Sequence, residues 1–93
     1  MALLIKGGRV ITDADDFFAD VLCDGETIRE IAPHIEAPAD AEVVDASGKY
    51  VFPGFIDPHV HIYLPFMGTY AKDTYETASR GALVGGTTSL IEM

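Results

Sequence analysis

Two histidines, His59 and His61, stand two residues apart in the run Pro53-Gly54-Phe55-Ile56-Asp57-Pro58-His59-Val60-His61. Side chains of an extended strand alternate between faces, so residues at i and i+2 share one. Imidazole is the commonest metal ligand among side chains, and such a pair offers two nitrogens to one ion. A catalytic zinc site takes three protein ligands as a rule, whereas the whole chain has only three histidines. The spacing therefore points at a metal chemistry that needs further ligands. Asp57 falls on the same face. It is either a ligand or an outer-shell group that orients one, and an acid bonded to nearby backbone amides fits the spacing equally. The plain alternative is a half-exposed strand with Ile56, Val60 and Ile62 turned to a core.

The elements around the pair favour the metal site. Phe55 to Ile62 reads as a strand. Pro58 cannot donate to a ladder, so a bulge, an edge or a strand end is expected near the histidines. Leu64 to Tyr70 is an apolar loop. A helix is predicted over Thr74–Val84, with Asp73 as N-cap and Glu76 completing a capping box. Tyr75, Ala78 and Ala82 form one buried stripe. Gly81 inside the helix suggests close packing, and Gly85 suits the left-handed position past the helix end. Thr87 to Met93 is a second strand, with Glu92 at its end in a direction the pattern leaves open.

Strand, helix, strand makes one βαβ unit with parallel strands, which are covered on both faces. The histidines sit at the C-terminal end of the first strand, where α/β barrels carry their active sites. Leu64, Phe66 and Met67 either pack the loop on the helix or form a hydrophobic lid that excludes water.

Residues 1 to 52 follow a different pattern: short strands and turns, without a helix. Leu3–Lys6 and Arg9–Thr12 flank a Gly7-Gly8 turn. Ala19–Cys23 and Thr27–Ala32 flank Asp24-Gly25-Glu26, a hairpin signal. Val43-Val44 and Tyr50–Phe52 flank a second turn at Ala46–Lys49. Such strands suggest part of a β-sandwich. His34 lies in a proline-bearing loop and is expected to be solvated.

Composition excludes several functions. The net charge of −9 argues against nucleic acid and against anionic lipid. The charge is concentrated in residues 1 to 52, with 11 acidic and 4 basic side chains, while residues 53 to 93 have 4 and 2. No apolar run approaches the ~20 residues that span a bilayer, and no signal segment opens the chain. Cys23 is the only cysteine, so no internal disulfide can form. These features predict a soluble, cytoplasmic protein with a buried thiol at Cys23.

The run from Pro53 to His61 resembles the metal-binding signature of the amidohydrolase superfamily. Together with Leu64-Pro65-Phe66 and Gly85-Gly86-Thr87-Thr88, it is most similar to the cyclic amidohydrolases of D-hydantoinase/dihydropyrimidinase type. The resemblance implies an α/β fold. Residues 1–52 would be N-terminal strands of a small β-sandwich domain, and 53–93 the first β-α-β unit of a metal-dependent (β/α)8 barrel, truncated.

That family opens cyclic diamides such as hydantoins and 5,6-dihydropyrimidines at an amide bond. It implies two Zn2+ ions bridged by a carboxylated lysine and a hydroxide, a small cyclic amide substrate and a homotetramer. Carried over to this chain, His59 and His61 match two metal ligands, and Leu64 and Phe66 match a mobile loop beside the substrate. Dihydroorotases place Arg, and allantoinases Asn, where this chain has Tyr63, which argues against dihydroorotate and allantoin. The remaining ligands and the catalytic acid–base group belong to later strands, so no catalytic residue is assigned in these 93 residues. The isolated chain is expected to be inactive. The alternative is a non-catalytic truncated or interaction fragment.

Overall fold

Ala2–Ile11, rich in aliphatic side chains, forms the central strand β1 of a five-stranded sheet. The computed structural model describes residues 1–63, 65, 66, 68–70 and 72–93, with backbone alone at Phe66 and Tyr70. It divides into two units, Met1–Pro53 and Gly54–Met93.

In the first unit, β2 (Asp16–Asp24) pairs antiparallel with β1, and β3 (Thr27–Ala32) with β2. Asp24 pairs with Thr27, closing the expected Asp-Gly hairpin. β4 (Glu42–Asp45) and β5 (Tyr50–Val51) both run parallel to β1, so they continue one another along its edge rather than pairing together. Gly7-Gly8 is not a turn. It is a bulge within one continuous strand, because Ile5 faces Val21 while Gly8 faces Ala19. Gly7 takes φ +74°, open to glycine at little cost, and so absorbs the extra residue. The bulge also lets Ile5 and Val10, an odd number of residues apart, join one cluster.

The sheet buries side chains in two clusters. Leu4, Leu22 and Ile35 form one, and Val10, Ala19 and Val21 the other, with half-buried Cys23 packed against the second. Asp20 is buried beside them with every need met. Its Oδ2 accepts from Lys6 Nζ at 2.9 Å and from Ile35 N–H at 2.9 Å, and Oδ1 from Gly7 N–H at 2.8 Å. The Lys6 bond and the two backbone donors hold its pKa at about 2. One carboxylate thus ties the bulge to the proline-bearing loop. His34 in that loop is exposed as expected, although its Nε2 lies 3.2 Å from Glu36 Oε1.

In the second unit, β6 (Phe55–Val60) pairs parallel with β9 (Thr87–Glu92), and α1 (Tyr75–Val84) connects them. Between β6 and α1, the expected loop contains a short antiparallel pair, β7 (Pro65–Phe66) with β8 (Thr69–Tyr70). The helix start is shifted by one residue from expectation. Thr74 is the N-cap, and the capping box closes on Thr77 instead of Glu76. Asp73 instead accepts from Thr77 Oγ1 at 3.1 Å. At the other end Gly85 stays right-handed, and Gly86 takes the positive φ of +92°.

Ala78 and Ala82 are half-buried, but Tyr75, placed in the same stripe, is 60% exposed. Gly81 has open space where a β-carbon would stand, so close packing within these residues does not explain it. Among the described residues, every buried side chain belongs to Met1–Pro53, while Val84 in the second unit is 90% exposed. A two-stranded parallel pair with one helix covers too little surface to make its own core. No helix of the described residues is long and apolar enough to cross a membrane.

Candidate metal centre

The parallel pairing of β6 with β9 determines where the histidines go. Asp57 pairs with Leu90, but Val60 with Glu92, so β6 carries one extra residue at Pro58-His59. This is the bulge that Pro58 foreshadows: a residue without an N–H sits where the ladder is already interrupted. Regular pairing ends at Val60, two residues short of the expected strand end, and His61 lies just past it.

The bulge changes the expected face. Asp57, Val60 and Ile62 line a groove of about 420 Å³ together with Ala78 and Ala82 of α1. Val60 and Ile62 therefore face the helix side. His59 and His61, alternating with them, belong to the side away from the helix. Asp57 is not on the histidine face. It reaches His59 through the backbone, where Asp57 Oδ1 accepts from His59 N–H at 3.2 Å.

The two rings do meet. His59 Nε2 and His61 Nε2 are 3.2 Å apart, with ring centroids 5.0 Å apart and planes at 81°. Without a metal, this separation suits one N–H···N hydrogen bond, the donor being set by the tautomers. It also fits a shared ion. Two nitrogens at zinc–imidazole distances of about 2.0–2.1 Å, this far apart, subtend an angle of roughly 100° at the ion, near tetrahedral. Both side chains are exposed, so nothing in the described residues blocks an approach.

No group of three or more His, Cys, Asp or Glu converges among the described residues. The pair is thus the whole donor set that these residues bring together. Leu64, expected beside a substrate, lies outside the described residues. Phe66 is placed by its backbone alone, paired with Thr69.

Glu92, whose direction the sequence pattern left open, turns toward the segment after the histidines. Both its carboxylate oxygens accept from Ile62 N–H, at 3.2 and 3.3 Å. The observed register stands Glu92 opposite Val60, next to His61, but two bulges set that register, so parallel pairing alone gives no sequence signal for it. One residue past Ile62, Tyr63 adopts φ +51°, an uncommon conformation for an aromatic residue.

A sequence model described as "Amidohydrolase family" matches residues 42–85. Dihydropyrimidinase 2 of Caenorhabditis briggsae is 48% identical over 92 residues, covering 99% of this chain and 18% of that protein. D-hydantoinase of Streptomyces coelicolor is 47% identical over 93 residues, covering 96% of this chain and 20% of that protein. Among solved structures, a D-hydantoinase (dihydropyrimidinase) from Thermus sp. matches with a TM-score of 0.90 and 64% identity, covering 98% of this chain and 20% of that one. The chain spans about a fifth of the length of the curated relatives it matches. The fold class read from the sequence, strands of a small β-sandwich leading into the first β-α-β unit of a (β/α)8 barrel, agrees with these matches.

Proposed function

Because this chain belongs to the amidohydrolase family, we propose that the full-length protein opens the ring of a cyclic diamide, a hydantoin or a 5,6-dihydropyrimidine, by hydrolysing one amide bond. The observation that carries this is the 3.2 Å approach of His59 Nε2 to His61 Nε2 at the end of a strand in a parallel βαβ unit. The names of the similar proteins, D-hydantoinase and dihydropyrimidinase, supply the substrate class.

In this reading, residues 1–52 belong to the β-sandwich domain and 53–93 to the barrel. His59 and His61 hold a divalent ion, one Zn2+ of two in the full-length enzyme. When bound, such an ion polarises an amide carbonyl and activates water near neutral pH. The chain's own residues prepare that chemistry. Each histidine would offer its Nε2 to such an ion. Asp57, as an outer-shell group, steadies His59 through its backbone amide. Leu64 and Phe66 belong to the loop beside the substrate's exocyclic group, and Tyr63 gives no cationic partner to a substrate carboxylate. The protein works in the cytoplasm as a homotetramer.

The 93 residues alone are inactive in this reading, because two imidazoles leave a catalytic ion short of protein ligands. Hydrolysis of dihydrouracil and of a 5-substituted hydantoin by the full-length protein tests the proposal. Activity should vanish on chelation and in His59→Ala and His61→Ala, and return when zinc is restored to the native protein. Full activity in either variant would sink the metal role. Turnover by the purified 93-residue chain would sink the claim that it is inactive.

A further inference from the structure

We propose that Glu92 is a positioning residue for His61, acting through the backbone and not as a metal ligand; this rests on His59 and His61 forming the metal pair. β6 ends at Val60, opposite Glu92, and its last ladder bond runs from Met93 N–H to Val60 C=O at 3.0 Å. His61 is therefore the first residue past regular pairing. In that position a side chain moves with the loop that follows, unless the next amide is held.

Glu92 holds it. Ile62 N–H donates to both carboxylate oxygens, at 3.2 and 3.3 Å. A side-chain carboxylate here does the work of a ladder carbonyl, and a charge-assisted acceptor binds an N–H more strongly than a neutral one. His61 is thus bracketed by hydrogen bonds to Glu92, the last residue of β9, and to Met93, which follows it.

The backbone just beyond shows why a hold is needed. Tyr63 N–H donates to Asp73 C=O at 3.1 Å while Tyr63 itself sits at φ +51°. A non-glycine residue in that region is strained and persists only where its surroundings enforce it. Without the Ile62–Glu92 bond, the turn at Tyr63 would relax back toward His61. Glu92 is not itself part of a ligand cluster: among the described residues no third His, Cys, Asp or Glu converges on the pair.

The test compares the native chain with Glu92→Ala, Glu92→Asp and Glu92→Gln. Cobalt(II) affinity is read from visible absorption, and amide and imidazole NMR spectra are read without metal. Losing an outer-shell partner typically weakens metal binding by about 10- to 100-fold. Glu92→Ala should fall in that range. It should also shift the Ile62 amide and the His61 ring nitrogens, and leave the circular dichroism unchanged. Glu92→Asp, one methylene short, should behave like Glu92→Ala. Glu92→Gln keeps one acceptor oxygen and should lose less, and Glu92→Asp and Glu92→Gln serve if Glu92→Ala fails to fold. Unchanged Ile62 and His61 signals, or a cobalt affinity within about twofold of native, would overturn the role of Glu92. If those signals shift as expected but the native chain binds no cobalt, or His59→Ala binds it equally well, Glu92 still positions His61, and it is the metal assignment that fails.

Discussion

Gly54 lies against Thr88 with no room for another atom: a β-carbon at Gly54 would fall within 3.0 Å of Oγ1, Cγ2 and Cβ of Thr88. Gly54 immediately precedes β6, and Thr88 is the extra residue that β9 carries between its pairings to Phe55 and Ile56. This contact sets how β6 begins, and the register that follows brings His59 to its place.

Gly54→Ala should therefore shift β6 against β9. Threonine is stiff at χ1 and cannot swing clear, so the cost is that of overpacking, about 1–3 kcal/mol. Thermal unfolding of the chain measures it. Gly54→Ala combined with Thr88→Ala should recover only part of the loss, because Thr88 Cβ still crowds the site. An unperturbed Gly54→Ala melting curve would show that the close contact is not maintained in solution.

Much of the site was legible because its signals are local. Period-2 spacing paired His59 with His61, and Pro58 foretold an irregularity where the bulge occurs. Those signals failed where tertiary contacts decide. Alternation put Asp57 with the histidines, but the bulge it could not locate moved Asp57 to the helix side. Gly7-Gly8 has turn composition, yet the partners on β2 keep β1 continuous through it. Asp73 and Thr74 are both good caps, and only the return bond from Thr74 N–H to Thr77 Oγ1, at 2.9 Å, selects the second. Asp20 has no signature at all, since its three donors come from residues 6, 7 and 35.

The helix cap gives a second prediction. Thr77 N–H donates to Thr74 Oγ1 at 3.3 Å, and no basic side chain occupies the last turn to offset a lost cap. Thr74→Ala should destabilise α1 by about 1 kcal/mol, while Thr74→Asp, another strong N-cap with a charge suited to a helix start, should cost little. Helix content and amide exchange across residues 75–84 measure both variants. Equal exchange in Thr74→Ala and the native chain would remove the cap from the account.

Leu4 is fully buried between Leu22 and Ile35. Leu4→Ala leaves a cavity at the centre of the sheet and should cost about 2–5 kcal/mol, whereas Leu4→Met should cost under about 1.5 kcal/mol. Denaturant unfolding of the chain separates the two. Similar midpoints for both would mean that this cluster does not carry the stability of the first unit.

Asp20 makes that unit sensitive to acid. Its pKa falls from an ordinary 3.8 to about 2, first through the Lys6 bond, then through the Ile35 and Gly7 amides. A group whose folded pKa is depressed stabilises the fold above its unfolded value, and that contribution is lost as pH falls through the folded one. The loss should therefore begin near pH 4, be largely done near pH 2 and be complete only below it. Asp16, lowered by its bond to Arg9, and Asp45, lowered by Ser47, act in the same direction. Asp20→Asn keeps one acceptor oxygen, loses the charge and cannot hold Lys6 and both amides. At pH 7 it should melt below the native chain, and the difference between the two should shrink steadily as the pH drops from 4 to 2. Melting curves at half-unit pH steps measure this, and a difference that stays constant across that window would mean that Asp20 is not the group whose protonation weakens the sheet.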